Sequence, residues 1–293
     1  MTIAQAYIDF KNELKTIYGE SEVENISDWV FENVTGQKKW ERRNNQNELE
    51  EVYAGQLKNH LQELLQHKPV QYVLNEAWFY KMKFFVNENV LIPRPETEEL
   101  VEWIVGDVRC GIYDVPCKDS TSNTLNILDV GTGSGCIPIS LKKELPLSNV
   151  TSLDVSKKAL NVAKKNAAAL QAEIDFLQVD FLNEKNWNTL LQYDIIVSNP
   201  PYIPIQKKNI LQKNVADFEP ALALFVLDNH PFIFYEKMAT FAQTNLKKTG
   251  RIYVEVHEEY AQNVKSIFEN AGFYAVIKKD IYGKERMVST MVI

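Results

Sequence analysis

The chain has 293 residues, of which 45% are apolar and 24% charged, and a formal charge of −7. That composition can fill a sizeable core, unlike a disordered or collagen-like chain, and its acidic balance argues against binding by broad phosphate neutralisation. The three cysteines, Cys110, Cys117 and Cys136, form no CxxC pair and suit a reducing compartment. No run approaches the ~18 apolar residues of a membrane span, and the N-terminus lacks the basic head and apolar core of a signal peptide. A cytoplasmic protein with no membrane partner is expected, with one large domain and one small one.

Residues 1–75 read as helical. Ile3, Tyr7, Phe10, Leu14 and Ile17 recur at three- and four-residue steps and make one apolar stripe. Ser21 is placed to cap a second helix that carries Val23, Ile26, Trp29 and Val30 and stops near Gly36. A third, with Leu49, Val52, Leu57, Leu61 and Leu64, has to end before Pro69. This stretch holds eight Lys and Arg against twelve Asp and Glu. It is either a plain helical bundle with solvated faces or a docking domain, and its charge favours a protein partner over nucleic acid.

Residues 76–92 are aromatic and β-prone, with Asn87-Glu88-Asn89 as a turn signal, and read as a hairpin linker. From 93 onward a second domain begins. Pro95 and the acids behind it open a helix; Arg94 and Thr97 either line a ligand site or only start that helix. After a polar loop at 118–124, apolar runs at 125–130, 149–153, 174–179, 193–198 and 251–256 alternate with helical stretches. Such alternation means βαβ units and a mostly parallel sheet. The runs 273–279 and 286–293 add an antiparallel edge.

In such sheets ligands bind beyond the carboxyl ends of the strands, and the unusual residues cluster there. Gly131-Thr132-Gly133-Ser134-Gly135 follows the first strand in a G-x-G-x-G spacing, unlike the G-x-G-x-x-G of dinucleotide sites. Asp129 beside it would repel a pyrophosphate but could hold an ammonium, which points to S-adenosylmethionine. Pro138 is tolerable only if its helix starts near Gly135. Asp154 ends the second strand, where an acid can accept ribose hydroxyls or cap the next helix. Asp180 and Phe181 end the third; an acid there can accept from an adenine amino group and a ring can pack its face. Asn199-Pro200-Pro201-Tyr202 ends the fourth. Two prolines fix φ and supply no N–H, so the turn presents oxygen acceptors suited to a planar –NH2 group, with Tyr202 to cover it.

With these residues in this order, the chain resembles the class I S-adenosylmethionine methyltransferases that modify planar amino nitrogens. Pro69-Val70-Gln71-Tyr72 with Phe79, Leu91-Ile92-Pro93-Arg94-Pro95-Glu96-Thr97-Glu98, Phe218-Glu219-Pro220, and Lys279-Asp280 to Arg286 are similar to the glutamine-N5 methyltransferases of peptide chain release factors. The family has Gly at the position of Asn75 and a small residue at Pro138.

The resemblance implies a Rossmann-like, mostly parallel seven-stranded sheet with an antiparallel edge, and three parts: a helical docking domain at 1–75, a hairpin linker at 76–92 and a methyltransferase domain at 93–293. It implies S-adenosylmethionine as cofactor, S-adenosylhomocysteine as product, no metal, and a release factor, free or ribosome-associated, as protein substrate, with its Gly-Gly-Gln loop as acceptor. A monomer is expected. Asn199, Pro200 and Tyr202 are the expected catalytic residues and, with Pro201, the substrate contacts; Asp129, the 131–135 loop, Asp154, Asp180, Phe181 and Asn199 are the expected cofactor contacts. The alternative is an adenine-N6 methyltransferase acting on DNA or RNA, which shares the NPPY turn but should carry a basic, aromatic-lined surface.

Overall fold

The computed structural model describes residues 1–42, 45–111 and 124–293. Nearly all of the polar loop at 118–124, with Cys117, lies outside the described residues. The chain divides into two compact units, Met1–Glu76 together with Gln212–Phe218, and Ala77–Leu211 together with Glu219–Ile293.

The first unit is helical: α1 (Ile3–Leu14), α2 (Glu20–Thr35), α3 (Lys39–Arg42), α4 (Glu51–Leu65) and α5 (Val70–Leu74). Ala6, Phe10 and Leu14 of α1 pack with Val23, Val30 and Phe31 of α2 and with Leu57 and Leu64 of α4. Two expectations change. The cap of α2 is Gly19, and Ser21 lies inside its first turn. Val52 is exposed, because α4 turns Leu57 and Leu64 inward instead. As expected, α4 ends before Pro69, at Leu65; Pro69 is the N-cap of the short α5, which the apolar pattern did not reveal. Gly36 closes α2 at φ +70 as expected of a left-handed cap. Asn75 closes α5 at φ +53, a conformation that asparagine tolerates better than other side-chain-bearing residues, so it can stand where the family has glycine.

The second unit opens with a hairpin of β1 (Ala77–Phe79) and β2 (Met82–Phe84). Its turn is Tyr80-Lys81, both at positive φ, and not the Asn87–Asn89 segment. The latter forms a separate turn in which Asn87 Oδ1 accepts from the Asn89 N–H at 3.1 Å. Helix α6 (Pro95–Arg109) follows with Pro95 as its first residue.

Then come β3 (Asn126–Val130), α7 (Cys136–Glu144), β4 (Asn149–Asp154), α8 (Lys157–Ala169), β5 (Asp175–Gln178) and β6 (Tyr193–Ser198). A short parallel ribbon pairs β7 (Ile203–Pro204) with β8 (Phe225–Val226). The last strands are β9 (Leu246–Glu255), β10 (Phe273–Lys279) and β11 (Glu285–Val292). Seven strands form one sheet in the order β10-β11-β9-β6-β3-β4-β5. It is parallel from β9 to β5, while β11 runs antiparallel to both neighbours.

Alternation sends Leu128, Ile196, Ile252 and Val254 into one layer of the core and Ile127, Ile195, Val197 and Tyr253 into the other. A sheet covered on both faces takes apolar residues at most positions, and for that reason its strands read as nearly continuous apolar runs. Among the described residues no helix is long and apolar enough to cross a membrane.

Candidate active site at the carboxyl ends of the strands

The chain builds β4 and β5 on one side of β3 and then returns to add β6 on the other. Such a reversal leaves a crevice beyond the strand ends. A cavity of about 460 Å³ lies there, within the size range of small-molecule sites. Val130 to Ser134 line it from β3, Leu153 to Ser156 from β4, Val179 to Leu182 from beyond β5, and Asn199 and Pro201 from beyond β6.

The glycine loop is pinned from beneath. Both the Gly131 and Thr132 N–H groups donate to the Leu153 carbonyl at 2.9 Å, and Ser198 Oγ donates to the Val130 carbonyl at 2.7 Å. All three glycines have positive φ, +79, +54 and +81. Gly135 also has no room for a side chain, since a Cβ would stand 3.1 Å from Ile139 Cδ1 and 3.2 Å from Ala163 Cβ. Helix α7 starts directly after it, so Pro138 falls in the first turn, where its missing N–H costs nothing.

Asp154 lines the cavity while its carboxylate holds the loop. Oδ2 accepts from the Gly133 N–H at 2.9 Å and Oδ1 from the Ser156 N–H at 2.8 Å. It does not cap α8; Ser156 does, accepting from the Ala159 N–H. Burial raises the Asp154 carboxyl above the usual range although these N–H groups favour its charge. Asp180 is exposed, with Oδ1 taken by the Leu182 N–H. Phe181 is buried against Trp187 and Phe241, ring centroids 5.6 and 5.3 Å away.

Asp129 is fully buried and is absent from the cavity lining. Burial pushes its carboxyl up to about 7, against the opposing effect of the Ser152 hydroxyl, which donates to Oδ2 at 3.2 Å. Among the described residues, its Oδ1 and the Thr132 Oγ1 are buried with no hydrogen-bond partner.

Of the NPPY turn, Asn199 and Pro201 face the cavity, whereas Pro200 and Tyr202 do not line it. The Asn199 Nδ2 donates to Thr97 Oγ1 at 3.0 Å, and Thr97 Oγ1 donates to Glu255 Oε2 at 2.6 Å. The Tyr202 hydroxyl stands 3.5 Å from Glu255 Oε1. Arg94 Nη2 donates to Glu219 Oε1 at 2.6 Å, joining the start of α6 to the segment before Ala221–Leu224. Thr97 and Arg94 therefore do more than start a helix: both also line the cavity.

The sequence reading missed Glu255, although it ends a strand as Asp154 does; that position was the available signal. It also missed Glu88, Asn89, Leu222 and Phe234, which line the cavity from segments without a motif.

Fold and crevice together are those of a Rossmann-like methyltransferase. A model of the "Methyltransferase small domain" family matches residues 118–224. A methyltransferase of known structure from Pyrococcus furiosus, 14% identical, superposes with a TM-score of 0.51 over 80% of this chain and all of that one, which supports the fold. The release factor glutamine methyltransferase of Flavobacterium psychrophilum is 40% identical over 290 residues, 98% of each chain. That of Lactococcus lactis is 41% identical over 228 residues, 77% of this chain and 78% of its own. The chain belongs to the release factor glutamine methyltransferase family.

Proposed function

We propose that this protein transfers a methyl group from S-adenosylmethionine to the side-chain amide nitrogen of a glutamine in peptide chain release factors. The observation that carries the reading is the Asn199 carboxamide, set on the cavity wall with Nδ2 engaged by Thr97 and Oδ1 in no hydrogen bond among the described residues.

The residues fit the cofactor. The cavity has the volume, the open glycine loop allows close approach, and Thr132 Oγ1, on the cavity wall, is a buried hydroxyl with no hydrogen-bond partner among the described residues, whereas Asp129 stands behind the wall. Asp154 would take the ribose hydroxyls, Asp180 the adenine amino group, and Phe181 a face of the ring. S-adenosylmethionine supplies an electrophilic methyl on a sulfonium.

The protein has to make a poor nucleophile react. An amide lone pair is delocalised, and the rotation barrier of ~18–20 kcal/mol in peptides measures that resonance. Asn199 Oδ1 and the Pro200 carbonyl would each accept one N–H of the substrate amide, which orients its nitrogen and stabilises the positive charge developing there. Neither Pro200 nor Tyr202 lines the cavity, so the substrate amide would have to enter beside Asn199 for the Pro200 carbonyl and the Tyr202 ring to reach it; the proton leaves to water after transfer. No side-chain base is required. Residues 1–75 serve to dock the protein substrate, in keeping with their acidic balance.

Incubation with methyl-labelled cofactor tests the assignment. Label should enter a release factor, and none should enter the same factor with its acceptor glutamine replaced. Transfer to DNA or RNA adenine in place of the factor would refute it.

A further inference from the structure

Glu255 ends β9 with 2% exposure, and no basic side chain forms a salt bridge with it among the described residues. Its backbone is held as well, since the Tyr235 hydroxyl donates to the Glu255 carbonyl at 3.0 Å. A buried carboxylate without a cation is costly and calls for an explanation. The explanation lies in what it does to Thr97.

A hydroxyl has one proton to donate. Thr97 directs it to Glu255 Oε2 over 2.6 Å, within the range of a charge-assisted O–H···O⁻ bond. An ionised carboxylate can only accept, so Thr97 Oγ1 meets Asn199 as an acceptor. It takes the NH2 half of the carboxamide, at 3.0 Å, and leaves the C=O half for the cavity. With a donor at position 255 the chain could run the other way. Thr97 would receive a proton from 255 and donate its own to the Asn199 oxygen, and the NH2 group would face the substrate.

We propose that Glu255, acting through Thr97, is a positioning group that fixes which end of the Asn199 carboxamide faces the substrate amide. This deepens the functional reading and rests on it for the identity of the acceptor. The polarity of the chain itself is a property of the protein alone.

Glu255 is faced by Glu96 from α6, Cys136 from α7, Tyr202 from beyond β6, Tyr235 from the helix Ile233–Asn245, and Arg286 from β11. Burial and, to a smaller extent, Glu96 raise its carboxyl to about 7; the Thr97 hydroxyl, Arg286 and Tyr202 oppose them. The ionised form, which sets the polarity, therefore fills as pH rises through neutrality. Turnover should show an acidic limb that belongs to Glu255.

Full-length wild type is compared with Thr97→Val, Thr97→Ser and Glu255→Gln. One readout needs no substrate: the side-chain NH2 signal of Asn199 in ¹⁵N-labelled protein, assigned with Asn199→Asp. Its protons should be protected from exchange in wild type and Thr97→Ser and unprotected in Thr97→Val. The other readout is release-factor methylation across pH. Thr97→Val should lose about 10²-fold in kcat, the scale of misplacing a reacting group, with cofactor affinity little changed. Thr97→Ser should recover most of that loss. Glu255→Gln should be slow and lack the acidic limb.

Equal protection and equal kcat in wild type and Thr97→Val would overturn the proposal. If Thr97→Val fails to fold, a Glu255→Gln with the wild-type pH profile and rate does the same. A wild type that labels no release factor, yet protects Asn199 in a Thr97-dependent way, would defeat the acceptor assignment and leave the polarity chain standing.

Discussion

The Asp154 carboxylate at the end of β4 reaches across to the glycine loop of β3 and accepts the Gly133 N–H at 2.9 Å. One side chain thus shapes the loop and stands in the cavity wall. Asp154→Ala would strip partners from the Gly133 and Ser156 N–H groups, at about 1–3 kcal/mol of stability. Cofactor affinity should fall with it. Asp154→Asn, which keeps one carbonyl acceptor, should lie between the two in both thermal unfolding and calorimetric titration. An alanine variant that binds cofactor like wild type would remove Asp154 from the site.

In the proposed reaction Asn199 supplies an acceptor for the substrate amide, which Asn199→Ala would remove. By analogy with loss of one preorganised polar group, the chemical step should slow by about 2.7–4 kcal/mol. Cofactor affinity should change much less. Single-turnover methylation with saturating cofactor measures the first quantity, and near-normal turnover would show the role to be misassigned.

Gly135 sits at φ +81 with Ile139 and Ala163 against the place of a Cβ. Gly135→Ala meets both a left-handed backbone and an occupied space, so about 1–3 kcal/mol of stability should be lost. Gly133 has a positive φ but open space around it, and Gly133→Ala should cost less. Denaturant midpoints of the two variants decide the order.

Asp129 should make stability depend on pH in an unusual direction. Its folded carboxyl titrates at about 7, against ~3.9 in an unfolded chain. Between those values the folded protein holds a proton that the unfolded chain has released. The contribution of this group to stability therefore falls as pH climbs from about 4 to 7, and then levels off. Asp129→Asn abolishes that dependence. Its Tm should gain on that of wild type as pH is taken from 5 to 8; a constant difference would contradict the buried-acid account.

Glu219 has a side chain only 1% exposed, and its partner Arg94 is 33% exposed. Burial raises the Glu219 carboxyl, and Arg94 pulls it back. In Arg94→Ala the lone acid would stay protonated to higher pH, so the loss should be small at pH 5. At pH 8 it should reach about 1–3 kcal/mol, the cost of an unpartnered buried polar group. Urea titrations at the two pH values test this, and a loss independent of pH would exclude it.

Much of this architecture is readable in one dimension because its signals are local. Alternating apolar runs and glycine spacing depend on neighbours a few positions away, and the acids Asp154, at the end of β4, and Asp180, two residues beyond β5, mark the strand ends. Caps were less legible. Gly19 displaced Ser21 at α2, and Tyr80-Lys81 displaced Asn87–Asn89 as the hairpin turn, since backbone geometry at those points follows from packing.

Chain order and residue type were enough to infer a mostly parallel sheet, a glycine loop after its first strand, and an Asn-Pro-Pro-Tyr corner after β6. They could not reveal the partnership of Asn199 with Thr97, 102 positions away, or of Thr97 with Glu255, 158 away. Those contacts exist because β6 and β9 lie side by side and α6 starts beside their ends. A hydrogen bond acts over about 3 Å of space, and no periodicity along the chain encodes which distant groups the folded sheet brings within that reach.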